Sequence, residues 1–330
     1  MERMTWEFLI TGGTVFALTA LILRWLIPIL KSKKMGQKIL EIGPRWHKSK
    51  EGTPTMGGVA FILAILITML CASVYMLVFS DISELKPFAL TLGLATINGL
   101  IGFIDDRCKL LKKQNEGLTW IQKLSLQIIA AAVYLFALTR VGYVDTSFHI
   151  PFTSFELELG WFYYVIALGL IVGIVNSVNL TDGLDGLASC VTLVVGIFFA
   201  VVAFSFFNTS LVFASASLIG ATLGFLVYNF YPARVFMGDT GSLFLGGMVV
   251  GCAFMINEPL IILICGVVYL VEAFSVMIQV GVFKLTRGYR VFKMAPIHHH
   301  FEKCDWSEIK IVIVFSAVTL IACVAAWFGI

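Results

Sequence analysis

The chain has 330 residues, 59% of them hydrophobic and only 13% charged, with a formal net charge of +3 at pH 7. Soluble domains are about 45–50% apolar and about 25% charged, so this composition excludes a chain folded around a single aqueous core. Seven cysteines, at 71, 108, 190, 252, 265, 304 and 323, lie mostly inside apolar runs without paired spacing, which excludes a disulfide framework and a zinc ribbon.

Apolar runs of about 17–25 residues cross a bilayer as helices, because only internally bonded backbone is stable there. Taken in chain order, the sequence predicts spans at 7–30, 56–80, 87–104, 119–140 and 161–178. The second half predicts 184–207, 210–229, 240–257, 259–283 and 309–329. The first run is too long for the apolar core of a secretory leader and is expected to be retained. The polar stretch 142–160 reads as a short strand hairpin. The expected fold is an all-α polytopic membrane protein of about ten spans, one transmembrane domain over 1–330.

Short cytoplasmic loops retain Lys and Arg. Lys31, Lys33, Lys34, Lys38, Arg45, Lys48 and Lys50 fall in a loop at about 31–55. Arg107, Lys109, Lys112 and Lys113 fall at 105–118, and Lys284, Arg287, Arg290, Lys293 and Lys303 at 284–308. The alternate loops carry little beyond Lys86 and Arg140. These loops, with 177–184 and 230–239, are therefore expected on the cytoplasmic side, and both termini outside it.

Each unusual polar cluster falls at that face. "GTPTMGG" (52–58) opens the second span and "GFIDDRCK" (102–109) closes the third. "NSVNLTDGLDGLA" (176–188) joins the fifth to the sixth, "NFYPARVFMGDTGS" (229–242) the seventh to the eighth, and "KMAPIHHHFEK" (293–303) precedes the last. Five distant segments presenting carboxylates, amides and glycines to one face predict a composite active site.

Asp105 and Asp106 repel one another unless a cation lies between them; they read either as a solvated loop start or as a metal or general-base pair, with Lys109 holding an anion. Asp182 and Asp185, three residues apart in a glycine-rich turn, would share a face if helical, and Asn176 and Asn179 add donors. Asp239 stands where a helix begins and can cap it, hold Mg²⁺ against a phosphate there, or do both. Phe236 is placed to stack on a base or simply to pack. The set offers hard oxygen ligands and lysines, the inventory of Mg²⁺-assisted phosphoryl transfer. No Walker A or Rossmann glycine pattern occurs. No nucleic-acid-binding module is recognisable. A transporter would place ionisable groups near mid-membrane and often carry an inverted repeat; here the charges sit at span ends and no repeat is evident.

The three histidines are not a tag remnant, since a full span follows them. A helical zinc pair sits at i and i+4, whereas consecutive side chains point about 100° apart. His298 and His299 are expected to face substrate and donate to its oxygens, with His300 beside them.

In order and type, "GTPTMGG", "DD", "NLTDGLDGLA", "FMGDTGS" and "APIHHHFEK" resemble the bacterial phospho-N-acetylmuramoyl-pentapeptide transferases, within the polyprenyl-phosphate N-acetylhexosamine-1-phosphate transferase superfamily. The resemblance spans essentially the whole chain. The unbroken triple histidine points to that family over relatives that transfer N-acetylglucosamine phosphate, which are the alternative. It implies that undecaprenyl phosphate attacks UDP-N-acetylmuramoyl-pentapeptide, releasing UMP and forming lipid I at a bacterial plasma membrane. It implies Mg²⁺ on Asp239, with Asp105 and Asp106 as further candidate ligands, and Asp105 as the proposed base. Gly183, Leu184, Asp185 and Phe236 match a uracil pocket. Lys50, Thr55, Asn179, Asp182, Asn229 and Gln279 match contacts to nucleoside or to nucleoside-type inhibitors. Glu272 and Gln279, seven apart, share a helical face, and a bent ninth span would fit. A homodimer is compatible with the resemblance.

Overall fold

The computed structural model describes residues 1–33, 50, 52–79, 81–112 and 117–330, with the side chain of 112 left aside. Lys34, Lys38, Arg45, Lys48 and Lys113 lie outside the described residues. The helices are α1 (Glu2–Ser32), α2 (Gly58–Phe79), α3 (Lys86–Lys112), α4 (Trp120–Arg140), α5 (Phe162–Thr181) and α6 (Leu187–Ser205). They continue as α7 (Thr209–Asn229), α8 (Gly238–Met255), α9 (Ile262–Cys265), α10 (Val267–Leu285), α11 (Ile297–Glu302) and α12 (Glu308–Trp327). Ten are long and apolar enough to cross a membrane, all but the short α9 and α11. The stretch between α4 and α5 forms the expected hairpin, with β1 (Ser147–His149) antiparallel to β2 (Glu156–Glu158) and Phe148 opposite Leu157.

Local signals set several starts. α4 opens with a capping box, Gln122 N–H donating to Thr119 Oγ1 and Thr119 N–H to Gln122 Oε1. Asn208 caps α7 and Ser307 caps α12 through their side-chain oxygens.

Three expected boundaries are corrected. α3 does not stop at 104 but continues through Asp105, Asp106 and Lys109 to Lys112. Charges at a helix end are compatible with helix when they pair one turn apart, as Asp105 and Lys109 do at 2.6 Å. α5 runs on to Thr181 and α8 begins at Gly238, which shortens the connections expected at 177–184 and 230–239. Residues 182–186 are a turn, not a helix, so Asp182 and Asp185 share no helical face. The ninth span is broken: a 3-10 turn at Pro259–Ile261 and α9 are separated from α10 by Gly266.

α8 is the centre of the bundle, buried continuously from Thr240 to Met255. α3 packs along it, and where they meet the site, Gly102 lies so close that a Cβ would overlap the Asp239 carbonyl. Polar groups within the bundle pair across helices, Thr91 with the Tyr134 hydroxyl at 2.9 Å and Thr192 with the Tyr269 hydroxyl at 2.8 Å.

Both termini and the hairpin share one end. Arg3 meets Glu84 at 3.8 Å, His149 meets Glu258 at 3.1 Å, and Phe152 N–H donates to the Gly329 carbonyl at 3.4 Å. Asp105, Asp106 and Asp239, at helix ends, and the histidines of α11 lie at the other.

Candidate active site

Three carboxylates converge where α3 meets the start of α8. Asp105, Asp106 and Asp239 each bring an oxygen within 4.8 Å of the others. Asp106 is buried and caps α8 from another helix: it accepts the Thr240 N–H at 2.9 Å, the Thr240 hydroxyl at 2.7 Å and the Asp239 N–H at 3.2 Å. Asp239 therefore does not cap its own helix, and no side chain within α8 does. Its carboxylate is free to face the site, where Lys109 Nζ lies 3.0 Å and Lys123 Nζ 2.8 Å from Oδ2. Asn179 donates to Asp239 Oδ1 at 3.0 Å and to Ser242 Oγ at 2.7 Å. Asp105 takes Lys109 on one oxygen and the Leu118 N–H on the other at 2.7 Å.

Three clustered carboxylates with no sulfur or imidazole among them fit a hard divalent cation such as Mg²⁺ and not a structural zinc. Lys109 and Lys123 balance that charge and are placed to meet phosphate oxygens. Lys123 was not foreseen. Its signal was present: one cation in the first turn of an otherwise apolar span, where ionisable residues face a cavity or a partner.

A second cluster adjoins the 182–186 turn. Lys50 Nζ bridges Asp185 at 2.7 Å and Glu308 at 2.6 Å, while Asp185 also accepts the Ala233 N–H at 2.8 Å. Burial alone would lower the Lys50 pKa, but the hydrogen bonds to Asp185 and Glu308 outweigh it and raise it. Burial, reinforced by the charges of Asp239, Asp106 and Asp185, pushes Asp182 well above the usual carboxylate range. Gly183 is exposed and Leu184 buried beneath it. Phe236 is half-buried, its N–H on the Pro54 carbonyl at 2.9 Å, and Thr55 lies beside Gly238 in the same pair of loops.

Other expected contacts serve the scaffold in this arrangement. Asn229 accepts the Gly186 N–H at 3.1 Å and donates to the Val235 carbonyl at 3.0 Å, tying the two loops together. Asn176 pairs with Gln127 of α4 at 2.8 Å, one turn deeper than Asn179. Gln279 makes a two-way bond with the Phe292 backbone, accepting its N–H at 2.9 Å and donating to its carbonyl at 3.2 Å.

The histidines divide. His298 is buried, with Nδ1 3.0 Å from Glu272 of α10. His299 is half-buried, with Nδ1 2.6 Å from Glu302. His300 turns to the preceding loop, where Nδ1 accepts the Lys293 N–H at 3.1 Å. Glu308 and Gln127 were missed as partners, because a lone polar residue near a helix end carries no sign of a partner far away in sequence.

The chain is similar to known proteins over most of its length. The family described as Glycosyl transferase family 4 matches residues 87–257, and signature 1 of the phospho-N-acetylmuramoyl-pentapeptide-transferases matches residues 50–62. A phospho-N-acetylmuramoyl-pentapeptide-transferase of Staphylococcus aureus is 45% identical over 325 residues, covering 96% of this chain and 99% of the relative. The enzyme of that name from Clostridium perfringens is 45% identical over 92% of this chain and 90% of its own. That from Clostridium novyi is 46% identical over 92% and 91%.

Proposed function

The chain belongs to the phospho-N-acetylmuramoyl-pentapeptide transferase family, and from that premise we propose how its site works. It transfers phospho-N-acetylmuramoyl-pentapeptide from the UDP-linked donor to undecaprenyl phosphate, giving lipid I and UMP in peptidoglycan synthesis. The observation that carries the reading is the trio Asp105, Asp106 and Asp239 with Lys109 and Lys123, gathered at one end of ten membrane helices. That end is the cytoplasmic face of the bacterial plasma membrane, where a water-soluble nucleotide and a membrane-held lipid phosphate can meet.

An oxygen of the lipid phosphate attacks the sugar-side phosphorus of the donor, and the bond to the bridging oxygen breaks, so UMP leaves with the electron pair. Asp239, with Asp105 and Asp106, would hold Mg²⁺, which when bound neutralises pyrophosphate charge. Lys109 and Lys123 orient phosphate oxygens. Asp105 stands ready to accept a proton from an acceptor that arrives as the monoanion. Asp106 holds the first turn of α8 and so fixes where Asp239 points. The uridine lies over the Gly183–Leu184 turn, with Phe236, Thr55, Lys50 and Asp185 around it and Asn179 and Asp182 below. Asn229 and Gln279 shape this pocket through the backbone they hold.

The test is UMP release by purified protein with undecaprenyl phosphate, Mg²⁺ and, in separate reactions, UDP-N-acetylmuramoyl-pentapeptide or UDP-N-acetylglucosamine. Release with the first donor is expected. Its absence would overturn the reading, and release with the second donor alone would move the chain's activity to the N-acetylhexosamine relatives.

A further inference from the structure

Among the described residues, two buried polar atoms lack a partner where α10 meets α11, apart from the aspartate trio. Glu272 in α10 is fully buried at 0% exposure and His298 in α11 nearly so at 1%. Glu272 Oε2 lies 3.0 Å from His298 Nδ1 and 3.4 Å from the His298 backbone nitrogen. Among the described residues, Glu272 Oε1 and His298 Nε2 have no hydrogen-bond partner. Buried polar atoms are nearly always satisfied, so each exception needs a reason.

The geometry supplies one. The oxygen facing Nδ1 also lies within reach of the backbone N–H of the same residue, so it is available as an acceptor toward both. That contact favours the tautomer protonated on Nδ1, since an imidazole's tautomer is set by the hydrogen bonds its nitrogens make. Nε2 is left with a lone pair, directly beneath exposed Gly183, in the space that a Cβ at 183 would fill. Only a residue without a side chain can lie over the ring there.

We propose that Glu272 is a positioning residue for His298, holding Nδ1 protonated and the ring edge toward the 182–186 turn. Nε2 is then a hydrogen-bond acceptor for an N–H or O–H of the nucleotide, not the donor to phosphate expected from sequence. The inference rests on the transferase reading for its ligand and on the Glu272–His298 contact for its geometry. We assign the missing partner of Nε2 to the nucleotide; reaching it requires the 182–186 turn to shift at Gly183, where no side chain stands in the way.

The experiment combines a spectroscopic readout with a mutant cycle. In full-length protein labelled with ¹⁵N-histidine, His298 is assigned by the signal lost in His298→Asn. Expected is a neutral His298 with protonated Nδ1 and bare Nε2, whose Nε2 resonance shifts on addition of UMP with Mg²⁺. Glu272→Leu is expected to abolish that tautomer preference and to lower kcat about 10–100-fold, by analogy with the loss of a group orienting a metal-bound histidine. Combined with His298→Asn it should cost nothing beyond His298→Asn alone, because the two residues act as one. Should Glu272→Leu fail to fold, Glu272→Met, similar in size and without a strong acceptor, carries the same cycle. A protonated Nε2 in the unmutated protein, a resonance indifferent to UMP, or losses that multiply in the double variant would each overturn the proposal. An unmutated protein that releases no UMP would instead overturn the transferase reading, and the tautomer would still judge the dyad.

Discussion

α8 and α10 are close in length, 18 and 19 residues, and both place polar groups at the site, yet their settings are opposite. α8 is buried on every side from Thr240 onward, and its first turn is held from α3 by Asp106. In α10 only Val268, Tyr269, Glu272 and Ser275 are buried. The arm beyond α10 is tied back to it by polar contacts of Gln279 with Phe292 and of Glu272 with His298. The difference separates two demands on the enzyme. In the proposed mechanism the groups around the reacting phosphates need fixed geometry, and they stand on packed helices. The arm carrying the histidines has the sparse burial of a segment that opens at lower cost.

The comparison can be broken first at its rigid side. Asp239→Asn is expected to cut UMP release by about 10³-fold, the scale for loss of a principal electrostatic group, and to weaken the dependence on Mg²⁺. Near-normal kinetics would remove Asp239 from the metal site. Next, Gly102→Val wedges α3 from α8 at the Asp239 carbonyl. Overpacking there should cost about 1–3 kcal/mol, lowering Tm and activity together; a loss of activity with Tm unchanged would separate the packing from the site. On the sparsely buried side the effect should be smaller. Gln279→Ala frees the Phe292 backbone and removes about 1 kcal/mol of hydrogen bonding, so KM should rise several-fold while kcat stays nearly constant. An equal fall in kcat would show that the arm takes part in the chemistry as fully as α8 does.

The smallest effect concerns pH. Asp182 titrates above the usual carboxylate range in the folded chain because it is buried among Asp239, Asp106 and Asp185. A raised folded pKa binds its proton more tightly in the native state. The stabilisation is complete below the ordinary carboxylate pKa and is lost as pH rises through the elevated one. In chelator, Tm should therefore fall with rising pH across that window, and Asp182→Asn should flatten the fall. An unchanged slope would assign the pH dependence to other groups.

The bundle was legible because bilayer spans announce themselves by length and composition, and the segregation of "DD", "NLTDGLDGLA" and "FMGDTGS" to alternate ends announced a shared site. What sequence could not convey was the use of each polar atom. Asp239 reads as a cap, but the cap comes from Asp106, 134 positions before Thr240, so no local pattern encodes it. Asn229 and Gln279 are expected from sequence to meet nucleoside or inhibitor and here hold backbone, because an amide serves backbone and ligand equally well. Lys123 was overlooked although its isolation in an apolar helix was visible. Glu272 was seen to share a face with Gln279, and only packing reveals His298 beside it.

The contact between Asp105 and Leu118 has a practical use. Asp105 receives the Leu118 N–H on the oxygen not taken by Lys109. A ligand that claims that oxygen competes with the amide for it. Leu118 is thus a built-in reporter: its hydrogen–deuterium exchange would register occupancy of the aspartates through one backbone proton, without any attached label.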